Sequence, residues 1–155
     1  MIARYWPLLA ASAGVGAILI LRRRFAVVTV TGQSMVPALA DGDRVLVRRV
    51  RLGRIRAGDV VVVEKPAGEA GWRKPPADRV AGHEWLIKRA AAVPSDPLPD
   101  SFRACWPALP DELVPAGKLV VLGDSPAGSY DSRVIGYIPG ERLLGVVARR
   151  MTAGS

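Results

Sequence analysis

The chain is poor in the residues that build metal and disulfide chemistry. It has one histidine, His83, and one cysteine, Cys105. No Cys/His cluster with ligand spacing can be drawn, so neither a zinc site nor any other cofactor is expected. A single cysteine forms no intrachain disulfide and says nothing about redox compartment. Long periodic apolar runs of the helical kind are few, while 13 prolines and 16 glycines punctuate the chain. That combination points to short strands joined by many turns, a mostly β fold. Acidic residues are also scarce, 14 against 22 basic ones, for a net charge of +8. No basic helix, aromatic platform or finger pattern accompanies that charge, so nucleic acid is not an expected partner. A length of 155 residues suits one domain with an appendage.

Half of the charge excess sits in one place. Arg4, Arg22, Arg23 and Arg24 precede residue 25, where there is no acid. Between them, residues 5–21 carry no charged side chain and span about 26 Å as a helix, at ~1.5 Å per residue. Snorkelling arginines after the run and an interfacial Tyr5 and Trp6 before it make up the difference to a ~30 Å hydrocarbon core. A cleaved signal peptide would carry its charges before the run, not after it. The spacing therefore predicts an N-terminal membrane anchor over 1–24, a folded domain over 25–150 and a short tail over 151–155.

Within the domain, a β-branched run over residues 27–31 reads as a strand. Gly32 breaks it, and Pro37 prevents a helix from starting at once. Ser34 thus falls on a tight bend after a strand. Its hydroxyl is exposed there, and nearby backbone N–H groups can converge on one spot. A serine nucleophile with an oxyanion site needs both features. By itself the same serine also reads as a turn former that bonds its own backbone. Further on, Asp43 and Asp59 follow glycines and read as turn residues. Residues 44–48 alternate like a half-buried strand, and residues 60–63 are continuously apolar, as in a strand covered on both faces. Residues 67–82 form a Gly- and Pro-rich loop.

Residues 85–93 form an apolar strand interrupted by two charges. Side chains alternate along a strand, so Lys88 shares a face with Leu86, Ala90 and Ala92, while Arg89 points the other way and can reach a carboxylate. Desolvation on an apolar face disfavours the ammonium and makes a neutral amine available as a general base. A snorkelling edge-strand lysine is the alternative. His83 lies in a loop and ranks below Lys88 as a base. A last strand, residues 118–122, runs into Gly123-Asp124-Ser125, Ser129, Asp131-Ser132-Arg133 and Gly136, a long polar pattern with fixed spacing. Val146 and Val147 would close the sheet, followed by a basic tail.

Taken in order, Gly32-Gln33-Ser34-Met35-Val36-Pro37, the two Gly-Asp turns, the stretch from Lys88-Arg89 to Pro94-Ser95-Asp96, and residues 123–136 resemble the boxes of the type I signal peptidase family of membrane-bound serine/lysine proteases. Ala38, Ser95 and Ser125 depart from the pattern, Ser95 replacing a glycine and Ser125 an asparagine. The resemblance implies a coiled antiparallel β-sheet core of the signal-peptidase-like, LexA-like kind. It makes Ser34 the nucleophile, Lys88 the general base and the Ser34 N–H an oxyanion donor. Gly32 stands where some members carry a serine hydroxyl as a second donor. Ser129 would orient the lysine amine, and Asp131 and Arg133 would form a supporting ion pair. The expected partners are a lipid bilayer and the signal or leader peptide of an exported precursor, with small residues such as Ala-x-Ala before the cut, bound by a monomer. Residues 96–114 read as a short Pro-rich link where larger members insert a second domain. The family places this domain outside the cytoplasm, whereas Arg22–Arg24 beside it lean the other way by the positive-inside rule. Two other readings stay open: a dedicated maturation protease for one partner, and a tethered β-sheet binding module without activity.

Overall fold

A computed structural model describes residues 21, 23–68, 71–77 and 79–151. The residues read as a membrane anchor lie, apart from the last few, outside that range. No helix among the described residues is long and apolar enough to cross a membrane.

Seven strands form one curled antiparallel sheet: β1 (Phe25–Thr29), β2 (Arg44–Arg48), β3 (Val60–Glu64), β4 (Trp85–Ala92), β5 (Lys118–Leu122), β6 (Ile138–Pro139) and β7 (Leu143–Met151). Their order is β1-β2-β7-β3-β4-β5-β6, so the last strand returns to the middle, between β2 and β3. Among the described residues the strands are joined by the short helices α1 (Asp100–Arg103) and α2 (Ser132–Ile135) and by 3-10 turns at Leu52–Arg54 and Gly140–Arg142.

The valine run of β3 is the hinge of the core. Val61, Val62 and Val63 are all fully buried. Val62 packs on one face with Val28, Met35, Val45, Val47 and Ile87. Val61 and Val63 pack on the other with Ala90, Leu119, Val121 and Ile138. A run of one residue type that would be wasted on a half-solvated sheet is therefore used on both sides, as the sequence suggests. β2 shows the contrasting pattern: Val45 and Val47 point inward, and Arg44 and Arg48 point to solvent.

Three boundaries differ from the sequence reading. β1 starts at Phe25 and ends at Thr29. Val30 then leaves the regular ladder yet stays tied to the next turn, donating to Asp43 O at 2.7 Å and accepting from Gly42 N at 2.9 Å. The link over 96–114 is more than a connector. Phe102 on α1 is fully buried and packs with Leu98, Val114, Ala92 and Val120 as a third apolar cluster. Finally, Arg149 and Arg150 belong to β7, which pairs with β2 as far as Met151.

Candidate active site

Ser34 is held from three directions. Gly32 precedes it with φ +83°, a left-handed value that favours glycine. Asp41 accepts the Gly32 N–H at 2.7 Å, closing the loop between them. Met35 and Leu39 bury their side chains in the first cluster, and Leu39 N donates to Met35 O at 2.8 Å. From across the site, Ser125 N donates to Ser34 O at 3.0 Å. This contact uses the Ser125 backbone and does not depend on its side chain. The Ser34 N–H has no acceptor among the described residues and is free to meet a ligand oxygen.

Lys88 comes from β4, paired with Val61 of β3 in the middle of the valine run. Its side chain is only 4% exposed. Nζ donates a short hydrogen bond to Ser34 Oγ. Burial pulls the Lys88 pKa below its ordinary value; the Asp131 charge opposes that shift and Arg133 adds to it. The next residue turns to the opposite side. Arg89 forms a two-pronged pair with Asp124, at 2.7 and 2.6 Å, and also donates to Gly58 O at 2.8 Å. The alternation inferred for this strand thus sorts its two cations into different environments.

Asp131 organises the support. Fully buried, it accepts from Ser129 Oγ at 2.7 Å, from Gly123 N at 2.9 Å and from Arg133 through its backbone N, Nε and Nη2 at 3.1, 3.0 and 2.7 Å. Burial alone would raise its pKa, but these bonds outweigh it and hold the carboxyl at about 2. Ser129 gives its proton to Asp131, and no hydrogen bond joins it to Lys88 among the described residues. An ionised carboxylate is the stronger acceptor, so the Ser129 hydroxyl turns to Asp131 rather than to the lysine amine, whose hydrogen bond to Ser34 stands as expected. Gly123 is needed where these pieces meet: a Cβ there would lie 2.8 Å from Ser34 O and would strike the Ser129 hydroxyl.

The remaining sequence candidates fall elsewhere. Asp43 accepts from Ala40 N at 2.8 Å and Asp59 from Arg56 N at 2.9 Å, so both form turns. His83 lies 3.5 Å from buried Glu64, not beside Ser34. Ser95, in place of the family glycine, keeps a left-handed φ of +72°. Cys105 is free and exposed. Sequence reasoning missed Asp41, whose acceptor role depends on a loop closure with no pattern of its own. It also missed the buried pair of Glu64 and Arg142, 78 positions apart.

Two strand edges flank the site. Among the described residues β1 pairs only with β2. Pairing of β4 with β5 begins at Arg89, which leaves Trp85 to Lys88 bonded on the β3 side alone. Between these edges lies a cavity of about 40 Å³ reached by Thr29, Thr31, Ser34, Leu86 and Lys88. A larger groove of about 670 Å³ continues from it past Val27, Lys65 and His83. No cluster of residues able to hold a metal ion occurs among the described residues.

The geometry brings a serine and a buried lysine together on a coiled antiparallel sheet, and comparison with known proteins identifies the family. The family model for signal peptidase, peptidase S26, matches residues 3–99 and 100–152, and the chain belongs to that family. It is 28% identical over 134 residues to a signal peptidase I of Leptolyngbya laminosa, covering 75% of this chain and 63% of that protein. Its identity to the probable signal peptidase I-1 of Synechocystis sp. is also 28%, over 137 residues, 75% of this chain and 65% of the relative. A signal peptidase IB of Staphylococcus aureus is 29% identical over 145 residues, 79% of this chain and 75% of its own length. The chain thus spans less than two thirds of the cyanobacterial relatives.

Proposed function

We propose that this chain is a membrane-associated serine endopeptidase that removes signal or leader peptides from exported precursors. The observation that carries the reading is the hydrogen bond from buried Lys88 to the Ser34 hydroxyl. A lysine that keeps its proton is useless as a base, and burial is what loosens the proton.

In this mechanism neutral Lys88 takes the Ser34 hydroxyl proton as Oγ attacks the scissile carbonyl carbon. The Ser34 N–H receives the negative charge that develops on the carbonyl oxygen. Lys88 then passes its proton to the leaving amine nitrogen, the C–N bond breaks and an acyl-Ser34 ester remains. Water attacks the ester with Lys88 again as base, releasing the new carboxylate and restoring the hydroxyl. Asp131 takes no proton. It holds Ser129, Gly123 and Arg133 so that Ser34 and Lys88 stay in register.

An extended substrate pairs with the open edges of β1 and β4, adding strands on either side of the peptide. The small cavity beside Ser34 admits only a short side chain, which supports a preference for alanine-sized residues at the cut. The membrane part of the reading rests on residues 5–21 and on the family. The test is cleavage of a peptide carrying Ala-x-Ala by the full chain in detergent. Activity is expected in the parent protein and absent from Ser34→Ala. An acylating serine inhibitor should label the parent alone. A folded parent that neither cleaves nor labels would favour the inactive binding module.

A further inference from the structure

At the end of β5 far from Gly123, a cavity of about 790 Å³ opens between the 3-10 turn Leu52–Arg54, the start of β5 and the Pro139–Leu143 corner. Its floor is apolar: Val50, Leu52 and Leu143 line it, and the Gly140 backbone closes it against Leu52. A Cβ on Gly140 would lie 3.1 Å from Leu52 Cβ and 3.3 Å from Gly117 O, so the wall is tight there. Two cations rim it, Arg51 and Lys118, and neither side chain has a hydrogen bond or ion pair among the described residues. The one acid on the rim, Glu141, faces buried Arg142 at 3.5 Å.

The surroundings share that charge. Residues 44–58 contain six arginines and no acid. Arg48 and Arg54 are exposed and likewise without an ion-pair partner among the described residues. The chain enters the fold at this same place: Arg49 N donates to Arg24 O at 2.8 Å, and Phe25 pairs with Arg48. Residues 5–21, the uncharged run, immediately precede that entry.

We propose that this cavity binds the phosphate of an anionic phospholipid headgroup, with Arg51 and Lys118 as the phosphate ligands and the apolar floor taking the adjoining glycerol and first acyl carbons. The inference rests on the membrane-associated reading above and names the lipid class that the domain meets. Guanidinium and ammonium groups both favour phosphate oxygens, and a basic side chain near an anionic lipid surface strengthens binding by about fivefold. A free phosphate would use the same two cations but would leave the apolar floor unused.

The test uses the full chain in a zwitterionic detergent, titrated by calorimetry with short-chain phosphatidylglycerol, short-chain phosphatidylcholine, glycerol phosphate and inorganic phosphate. Saturable binding of phosphatidylglycerol is expected, with the other three at least tenfold weaker. Arg51→Gln/Lys118→Gln should weaken it by roughly 25-fold, two cations at about fivefold each. Arg79→Gln, which removes an exposed charge from a different loop, should leave it unchanged, and Lys118→Arg should retain it. Cleavage of the Ala-x-Ala peptide should persist in all of these variants, which reports an intact fold independently of lipid. Loss of cleavage in the parent with phosphatidylglycerol binding intact would defeat the protease reading and spare this one. Equal binding of phosphatidylcholine, equal loss in Arg79→Gln or absence of saturation would overturn the headgroup site. Inorganic phosphate binding as tightly as the lipid would replace it with a free-anion site.

Discussion

Lys88 and Arg142 are the two basic side chains buried among the described residues, 4% and 3% exposed. Lys88 is on β4, Arg142 ends the 3-10 turn Gly140–Arg142 that leads into β7, and the two have opposite surroundings. Arg142 meets a carboxylate: its Nη1 lies 3.0 Å from Glu64 Oε2, with Arg73 O at 2.5 Å and the Trp72 ring 5.4 Å away. Lys88 meets a hydroxyl, the Ser34 Oγ, and its nearest carboxylate influence, Asp131, is already committed to Arg133. Burial costs both ions their hydration. Only Arg142 is compensated by a direct counter-charge, and a guanidinium does not deprotonate in the working range. The pair at Arg142 is structural, since Glu64 also accepts Ala77 N at 3.2 Å and ties the loop before β4 to the sheet. At Lys88 the same burial, without a dedicated partner, lowers the pKa, as the base role proposed for it requires.

The largest way to break the contrast is to make the two sites alike. Lys88→Arg places a permanent cation beside Ser34, and peptide cleavage should fall by about 10³-fold or more, the scale of losing a general base and its partner geometry. His83→Ala, assayed in parallel, should keep nearly full activity. Full activity in Lys88→Arg would move the base elsewhere.

Breaking the other site should cost stability instead. Glu64→Gln leaves Arg142 buried with only the exposed Glu141 at 3.5 Å as counter-charge, and urea unfolding should show a loss of about 3–5 kcal/mol. A loss below ~1 kcal/mol would mean that the pair contributes nothing beyond packing.

The pH dependence sharpens the comparison further. Activity should rise with pH as Lys88 deprotonates, with a midpoint below the ~10.4 of a free lysine. Arg133 helps lower that pKa, so Arg133→Gln should move the midpoint upward; an unchanged midpoint would show that Arg133 acts only through packing. Asp131 works in the acid range. Its folded pKa of about 2 lies below the ordinary ~3.9, so its stabilisation is complete above about pH 4 and disappears as pH falls toward 2. Acid unfolding followed by circular dichroism should lose that dependence in Asp131→Asn.

The smallest expected effect lies away from both cations. Ser95 holds φ +72° at an exposed turn, a conformation that costs a non-glycine residue roughly 1–2 kcal/mol. Ser95→Gly should recover part of that, about 0.5–1 kcal/mol after the extra entropy of an unfolded glycine. Thermal unfolding checks it, and cleavage should stay unchanged.

Period and punctuation in the chain determined a good deal. The valine run announced a strand covered on both sides, and alternation along residues 85–92 separated Lys88 from Arg89. The spacing from Gly123 to Gly136 was specific enough to carry the family. These features are local, and steric alternation along a strand acts within a few residues. The tertiary structure decided which partners meet. It turned Ser129 toward Asp131, used Asp41 to pin Gly32, put Phe102 of an apparent linker into a core and joined Glu64 to Arg142. Those outcomes depend on which groups become the strongest available acceptors, or the best-fitting apolar neighbours, once water is removed. Desolvation is a property of the assembled sheet, and no single stretch of the chain encodes it.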